Sequence, residues 1–200
     1  MHKYLTILSE STGIFKDRKS KFIAITKFIK NEKDAKQELM SIKTAYADAN
    51  HHCYAYRYLN EQLQIVEHWS DDGEPSNSAG IQIYYVLKKY DLLNVMIVVV
   101  RYFGGVKLGV PGLINAYKLA SIEAVQNAHM VEKTITKVVN IAFSYESLSK
   151  IMNILKKYHC NILKQVLDID CAIDFEVELS YYKQIETELK NICKVWNESL

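Results

Sequence analysis

The chain has 200 residues, 49% apolar and 24% charged, which is the composition of a soluble globular protein with room for one large domain or two small ones. A net charge of +2 is too small to imply nucleic-acid binding by itself, and no apolar run approaches the roughly 18 residues of a membrane span. Cys53, Cys160, Cys171 and Cys193 show no C-x-x-C spacing, which excludes zinc-ribbon and dithiol motifs. The opening MHKYLTILSES lacks the apolar stretch of a signal peptide, so a cytoplasmic protein with reduced thiols is expected.

Residues 3–8 and 21–28 read as strands. Asn31 is placed to cap a helix with Asp34 reaching back, and Ala35, Leu39, Ile42 and Tyr46 then follow at helical spacing. Residues 52–59 and 63–69 read as two strands joined at Asn60-Glu61. An acidic loop over 70–77 precedes a helix ending near Tyr90. Residues 95–100 are apolar on both faces, as a central strand covered on both sides requires.

The run Arg101-Tyr102-Phe103-Gly104-Gly105-Val106-Lys107-Leu108-Gly109-Val110-Pro111-Gly112 holds four of the seven glycines and one of the two prolines. It separates the central strand from a helix predicted over 113–128. A glycine-rich turn of this kind lets backbone N–H groups converge near a helix N-terminus, where an anion can sit, and Arg101 and Lys107 add positive charge. Neither G-x-x-x-x-G-K-[ST] nor G-x-G-x-x-G is present. Close strand–helix packing is the alternative use of these glycines, and the two uses are compatible.

Beyond Gly112 there is neither glycine nor proline. The pattern resets near residue 130, which divides the chain into domains 1–130 and 131–200. The second part reads as a strand at 135–143, a helix at 145–158, strands at 161–167 and 171–179, a helix at 181–192 and a last strand at 194–196. The order βαββαβ is that of a ferredoxin-like sandwich. Asp174, Glu176 and Glu178 share one strand face, which would repel phosphates. The positive excess lies in the first part, with 16 basic and 13 acidic residues against 9 and 10 in the second, and residues 16–43 hold nine Lys/Arg against four Asp/Glu.

Two further segments carry candidate chemistry. In His51-His52-Cys53-Tyr54-Ala55-Tyr56-Arg57-Tyr58, strand alternation puts His52, Tyr54, Tyr56 and Tyr58 on one face and His51, Cys53, Ala55 and Arg57 on the other. The adjacent histidines cannot readily share a metal ion, and no metal site or cofactor is expected. The tyrosine ladder suits either stacked bases or cross-strand packing. In Asp71-Asp72-Gly73-Glu74-Pro75-Ser76, three carboxylates could hold Mg²⁺ or move a proton. Pairing with Arg101 or Lys107, which would lock the two loops together, is the reading preferred here. No nucleophile with a recognisable base is present, so no catalytic residue is assigned.

Four segments carry a resemblance: Ser20-Lys21-Phe22-Ile23-Ala24, residues 50–56, residues 70–76 and residues 98–109. Their order and spacing resemble the IMPACT family in its bacterial YigZ-like form. The resemblance implies an N-terminal α/β domain with the fold of domain IV of elongation factor G and a second domain like its domain V. Val110-Pro111 replaces a threonine and a glycine common in the family, and Asn77-Ser78 replaces glycine-threonine. Pro111 thereby removes a backbone donor from the loop. Eukaryotic members restrain a starvation-activated kinase of translation initiation, and nucleic-acid or ribosome binding is suggested for bacterial members from their folds.

The expectation is a two-domain α+β cytoplasmic protein that binds RNA, the ribosome or a translation factor without catalysis. Its binding residues would be His51, His52, Tyr54, Tyr56, Asp71, Asp72, Glu74, Arg101, Gly104, Gly105, Lys107 and Gly109. A metal-dependent hydrolase using the Asp71/Asp72/Glu74 loop with His51 or His52, and a pure protein-interaction module, are the alternatives. No membrane partner is expected.

Overall fold

The computed structural model describes residues 2–199. The fold is α+β, and contacts divide the chain into two compact units, one from Leu5 to Glu132 and one from Lys133 onward together with the residues up to Tyr4. β1 (Lys3–Ile7) pairs with β7 (Met130–Thr134) as a two-stranded ribbon, so the division falls inside these two strands.

The first unit is built on a five-stranded sheet of β2 (Ser11–Asp17), β3 (Ser20–Phe28), β6 (Val95–Tyr102), β4 (His51–Leu59) and β5 (Ile65–Ser70), in that spatial order. Every neighbouring pair is antiparallel. The continuous apolar run of β6 lies at the centre, and Val95 to Val100 are fully buried. Alternation then assigns the two faces. Phe22, Ala24, Cys53, Ala55, Ile97 and Val99 pack with residues of α2 (Gly80–Lys89) and α3 (Gly109–Gln126). Ile23, Ile25, Tyr56, Met96, Val98 and Val100 pack with Ala35 and Ile42 of α1 (Glu32–Ala45). The α1 cap forms as its sequence suggests: Asp34 N–H donates to Asn31 Oδ1 at 2.9 Å, and Lys30 N–H donates to the Asp34 carboxylate at 2.9 Å.

In this unit and at its border, β2, the strand β7 and the start of α3 differ from the sequence reading. β2 was not foreseen, because Ser-Thr-Gly-Ile-Phe-Lys-Asp lacks a clean apolar alternation. Its Gly13 lies against α3 so closely that a Cβ would fall 2.3 Å from Ala124 N. Ile14 N–H donates to the Glu123 carboxylate at 2.8 Å, so α3 supplies an acceptor at the strand's outer edge. Also, α3 begins at Gly109 and not at residue 113. Pro111 thus falls in the first helical turn, where its missing N–H would have had no intrahelical partner. The backbone donor that Pro111 removes is one the helix leaves unpaired.

In the second unit, β8 (Thr136–Ser144), α4 (Leu148–Lys157), β9 (Asn161–Val166), β10 (Asp170–Glu178), α5 (Leu179–Leu189) and β11 (Val195–Ser199) give a four-stranded antiparallel sheet. The spatial order β11-β8-β10-β9 is that of a βαββαβ sandwich. The helix expected from residue 145 starts as a 3₁₀ turn, Tyr145–Ser147, before α4. Cys171, Ile173, Phe175 and Val177 face inward, whereas Asp174 accepts from Asn140 Nδ2 and Glu176 from Thr136 Oγ1, each at 2.5 Å. Among the described residues, no helix is long and apolar enough to cross a membrane.

Candidate functional site

The acidic loop between β5 and α2 is held by its own carboxylates. Asp71 accepts from the backbone N–H groups of Asn77, Ala79 and Gly80 at 2.9, 3.0 and 2.8 Å. It caps α2, whose N-cap residue Ala79 has no side chain able to do so. Asp72 accepts from the His52 backbone N–H at 2.7 Å and from Lys43 Nζ at 3.1 Å. Its carbonyl meets His51 Nδ1 at 2.8 Å, and His52 Nε2 meets the Tyr46 carbonyl at 3.0 Å. The histidines therefore serve different contacts on opposite faces of β4. Among the described residues, no group of three or more His, Cys, Asp or Glu is placed to hold a metal ion.

Glu74 turns inward. Its Oε1 accepts from Arg101 Nη1 at 2.5 Å and from the Tyr117 hydroxyl at 2.8 Å. The Cys53 thiol lies 3.3 Å from the Tyr117 hydroxyl and 3.0 Å from the Asp71 carbonyl. Arg101 is 6% exposed and its guanidinium lies over the rings of Phe22 and Phe103, 5.5 Å from each centroid. Burial, and after it the charges of Glu74, Asp72 and Asp71, pushes the Cys53 thiol far above its ordinary pKa. Burial likewise raises Tyr117. A thiol held protonated is a poor nucleophile, and this cluster has the character of a structural lock.

Of the two cations expected to pair with the acidic loop, Arg101 does so and Lys107 does not. Lys107 is exposed, and its carbonyl receives Arg18 Nη1 at 3.5 Å. Arg101 is shielded by its buried pair, so surface charge at this end of the sheet comes from other residues. The β2–β3 hairpin turns through Arg18 and Lys19, with φ of 44° and 66°. Two central residues at positive φ make a turn of the type that favours Asn-Gly. Gly104 sits on this turn, where a Cβ would fall 2.1 Å from the Lys19 carbonyl carbon, and its N–H donates to Ser20 Oγ at 3.0 Å. Gly105 and Gly109 then turn the loop at φ of 85° and 71°.

The result is a basic end of the sheet. Lys16 and Lys21 stand opposite each other on the hairpin, Arg18 and Lys19 form its tip, and Lys107 lies on the adjoining loop. None of these five cations takes part in an ion pair among the described residues. Beside them Phe103, Val106 and Val110 are 46%, 46% and 47% exposed.

The tyrosine ladder serves packing over most of its length. Tyr54 and Tyr56 stack at 6.3 Å and Tyr56 and Tyr58 follow at 5.8 Å, but Tyr56 and Tyr58 are buried in the core beneath α1. Tyr54 alone of the three is half-buried. Sequence reasoning had not singled out Tyr117, Phe103, Arg18 or Lys19. The nine Lys/Arg within 16–43 were the available signal for the hairpin cations.

Residues 18–125 match the Impact N-terminal domain. The IMPACT family member YvyE of Bacillus subtilis (strain 168) is 32% identical over 197 residues, covering 96% of this chain and 88% of that protein. The IMPACT family member YigZ of Escherichia coli (strain K12) is 29% identical over 155 residues, covering 78% and 76%. A crystal structure of a hypothetical protein superposes with a TM-score of 0.71 at 24% identity, covering 100% of this chain and 97% of the other.

Proposed function

The chain belongs to the IMPACT family, and from that premise we propose that it binds RNA or the ribosome without catalysis, through the basic end of its five-stranded sheet, and acts on translation. The observation that carries this reading is the set of five cations, Lys16, Arg18, Lys19 and Lys21 on the β2–β3 hairpin and Lys107 on the glycine-rich loop, none of them in an ion pair among the described residues. Phosphate neutralisation by such a patch supplies affinity without base readout. The likeness to domains IV and V of elongation factor G belongs to the same proposal. The carboxylates that a hydrolase would use are each committed elsewhere: Asp71 to the α2 N-terminus, Asp72 to His52 and Lys43, and Glu74 to Arg101 and Tyr117.

The test is an RNA titration of wild type and Lys107→Ala at several salt concentrations. Loss of one phosphate contact reduces the log-affinity against log-salt slope by ~0.7–0.9. Unchanged affinity and slope would remove Lys107 from the RNA-binding surface. An absence of salt-dependent binding by both proteins would overturn the RNA reading in favour of a protein-interaction module.

A further inference from the structure

We propose that Phe103 is a stacking platform for one unpaired nucleobase, so that the ligand of the basic end is single-stranded RNA. The inference rests on the RNA reading above and adds the strandedness of the partner.

Phe103 directly follows β6, yet the residue is 46% exposed. The backbone at Phe103 is held: its N–H donates to Asn50 Oδ1 at 2.7 Å, and the next N–H donates to Ser20 Oγ at 3.0 Å. The Arg101 guanidinium supports the ring at 5.5 Å, and Glu74 fixes that guanidinium in turn. The backbone that carries the ring is therefore held before any ligand arrives, which lowers the entropic cost of binding on it. Two residues on, Gly105 is open, with nothing within 4 Å of where a Cβ would lie.

Three cations border this loop: Lys107 lies on it, Arg18 reaches Lys107's carbonyl, and Lys19's backbone touches Gly104. Phosphates on these cations, with one base on the ring, account for both the charge and the exposed aromatic surface. A duplex keeps its base faces stacked inside and cannot use the ring in this way. A splayed single strand can.

The experiment uses the full chain with two fluorescent probes, a short unstructured RNA and an RNA duplex of equal length. Phe103→Ala is expected to weaken single-strand binding about tenfold, because stacking one base on an aromatic ring is worth that order of affinity. Duplex affinity and the single-strand salt slope are expected to stay unchanged. Phe103→Leu keeps apolar bulk against Arg101 without the aromatic face, so it should fold and lose the same affinity even if the alanine variant does not fold. Phe103→Trp should retain binding. Full single-strand affinity in Phe103→Leu, alongside weakened binding by Lys107→Ala, overturns the stacking role and leaves the RNA reading standing. No binding of either RNA by wild type overturns both, and an acidic protein surface then becomes the partner to seek.

Discussion

Glu74 and Arg101 meet at 2.5 Å in the interior of the first unit, although 27 residues separate them in the chain. The carboxylate is also the acceptor of Tyr117, so the acidic loop, the central strand and α3 share one buried oxygen. Removing one member of a buried pair strands the other charge at a cost of ~3–5 kcal/mol. Glu74→Ala is therefore expected to be severely destabilised in urea denaturation. Glu74→Leu combined with Arg101→Met should recover most of the loss, because an apolar pair leaves no uncompensated charge. A Glu74→Ala protein within about 1 kcal/mol of wild type would contradict the lock.

The hairpin tip carries a measurable conflict between stability and charge. Arg18 and Lys19 hold positive φ values that residues with a Cβ adopt at a cost of ~1 kcal/mol or more each. Replacing them with Asn-Gly should raise stability by ~1 kcal/mol, since that dipeptide suits the turn. The same double variant should bind RNA more weakly, with a salt slope smaller by ~1.4–1.8 for two lost phosphate contacts. Thermal melting and RNA titration of one preparation read both effects. A stabilised variant with undiminished RNA affinity would detach the hairpin from the binding surface.

Acid sensitivity should trace partly to Glu67. Burial works to raise its pKa, but hydrogen bonds from Tyr84 at 2.7 Å and Arg57 at 2.8 Å, with the charge of Arg57, outweigh burial and hold it below the ordinary value. A depressed folded pKa contributes stability that is fully present above the unfolded value of about 4.3 and is lost as pH falls through the folded one. Glu67→Gln should therefore flatten the pH dependence of the urea midpoint below about pH 4.3. An identical acid limb in wild type and variant would remove Glu67 as a source.

The unit from Leu5 to Glu132 has its own two apolar clusters, one on each face of the five-stranded sheet. A fragment of residues 5–132 is expected to unfold cooperatively on heating, as a chain of that size with a buried central strand can. A fragment without a cooperative transition would show that β1 and β7 need the remainder of the chain.

Much of the scaffold was legible because it rests on local signals. The apolar run of β6, the alternation of β4 and the Asn31 cap each follow from a side-chain period or a single hydrogen bond. The acidic loop was legible as an anchor, but not which carboxylate anchored what. Asp71, Asp72 and Glu74 are chemically alike, and their partners are set by the turn through Asp72 and Gly73, at φ of 41° and 87°. Neither could the basic tip be read directly, because Arg-Lys does not announce the turn that Asn-Gly would. Cys53 and Tyr117 lie 64 residues apart, and their contact is a product of α3 crossing the sheet.

The closure of β2 by Glu123 bears on behaviour in concentrated solution. A border strand with free N–H groups invites another chain to extend the sheet unless a neighbouring element covers it. Here Ile14's donor already has an acceptor, Asn127 Nδ2 donates to the Thr12 carbonyl at 2.8 Å, and Ser11 Oγ donates to the Ala124 carbonyl at 2.7 Å. Recruitment of a foreign strand at this border would require α3 to lift away from Gly13. Protection against aggregation is thus tied to the seating of one helix, and an alanine at Gly13 would weaken both together.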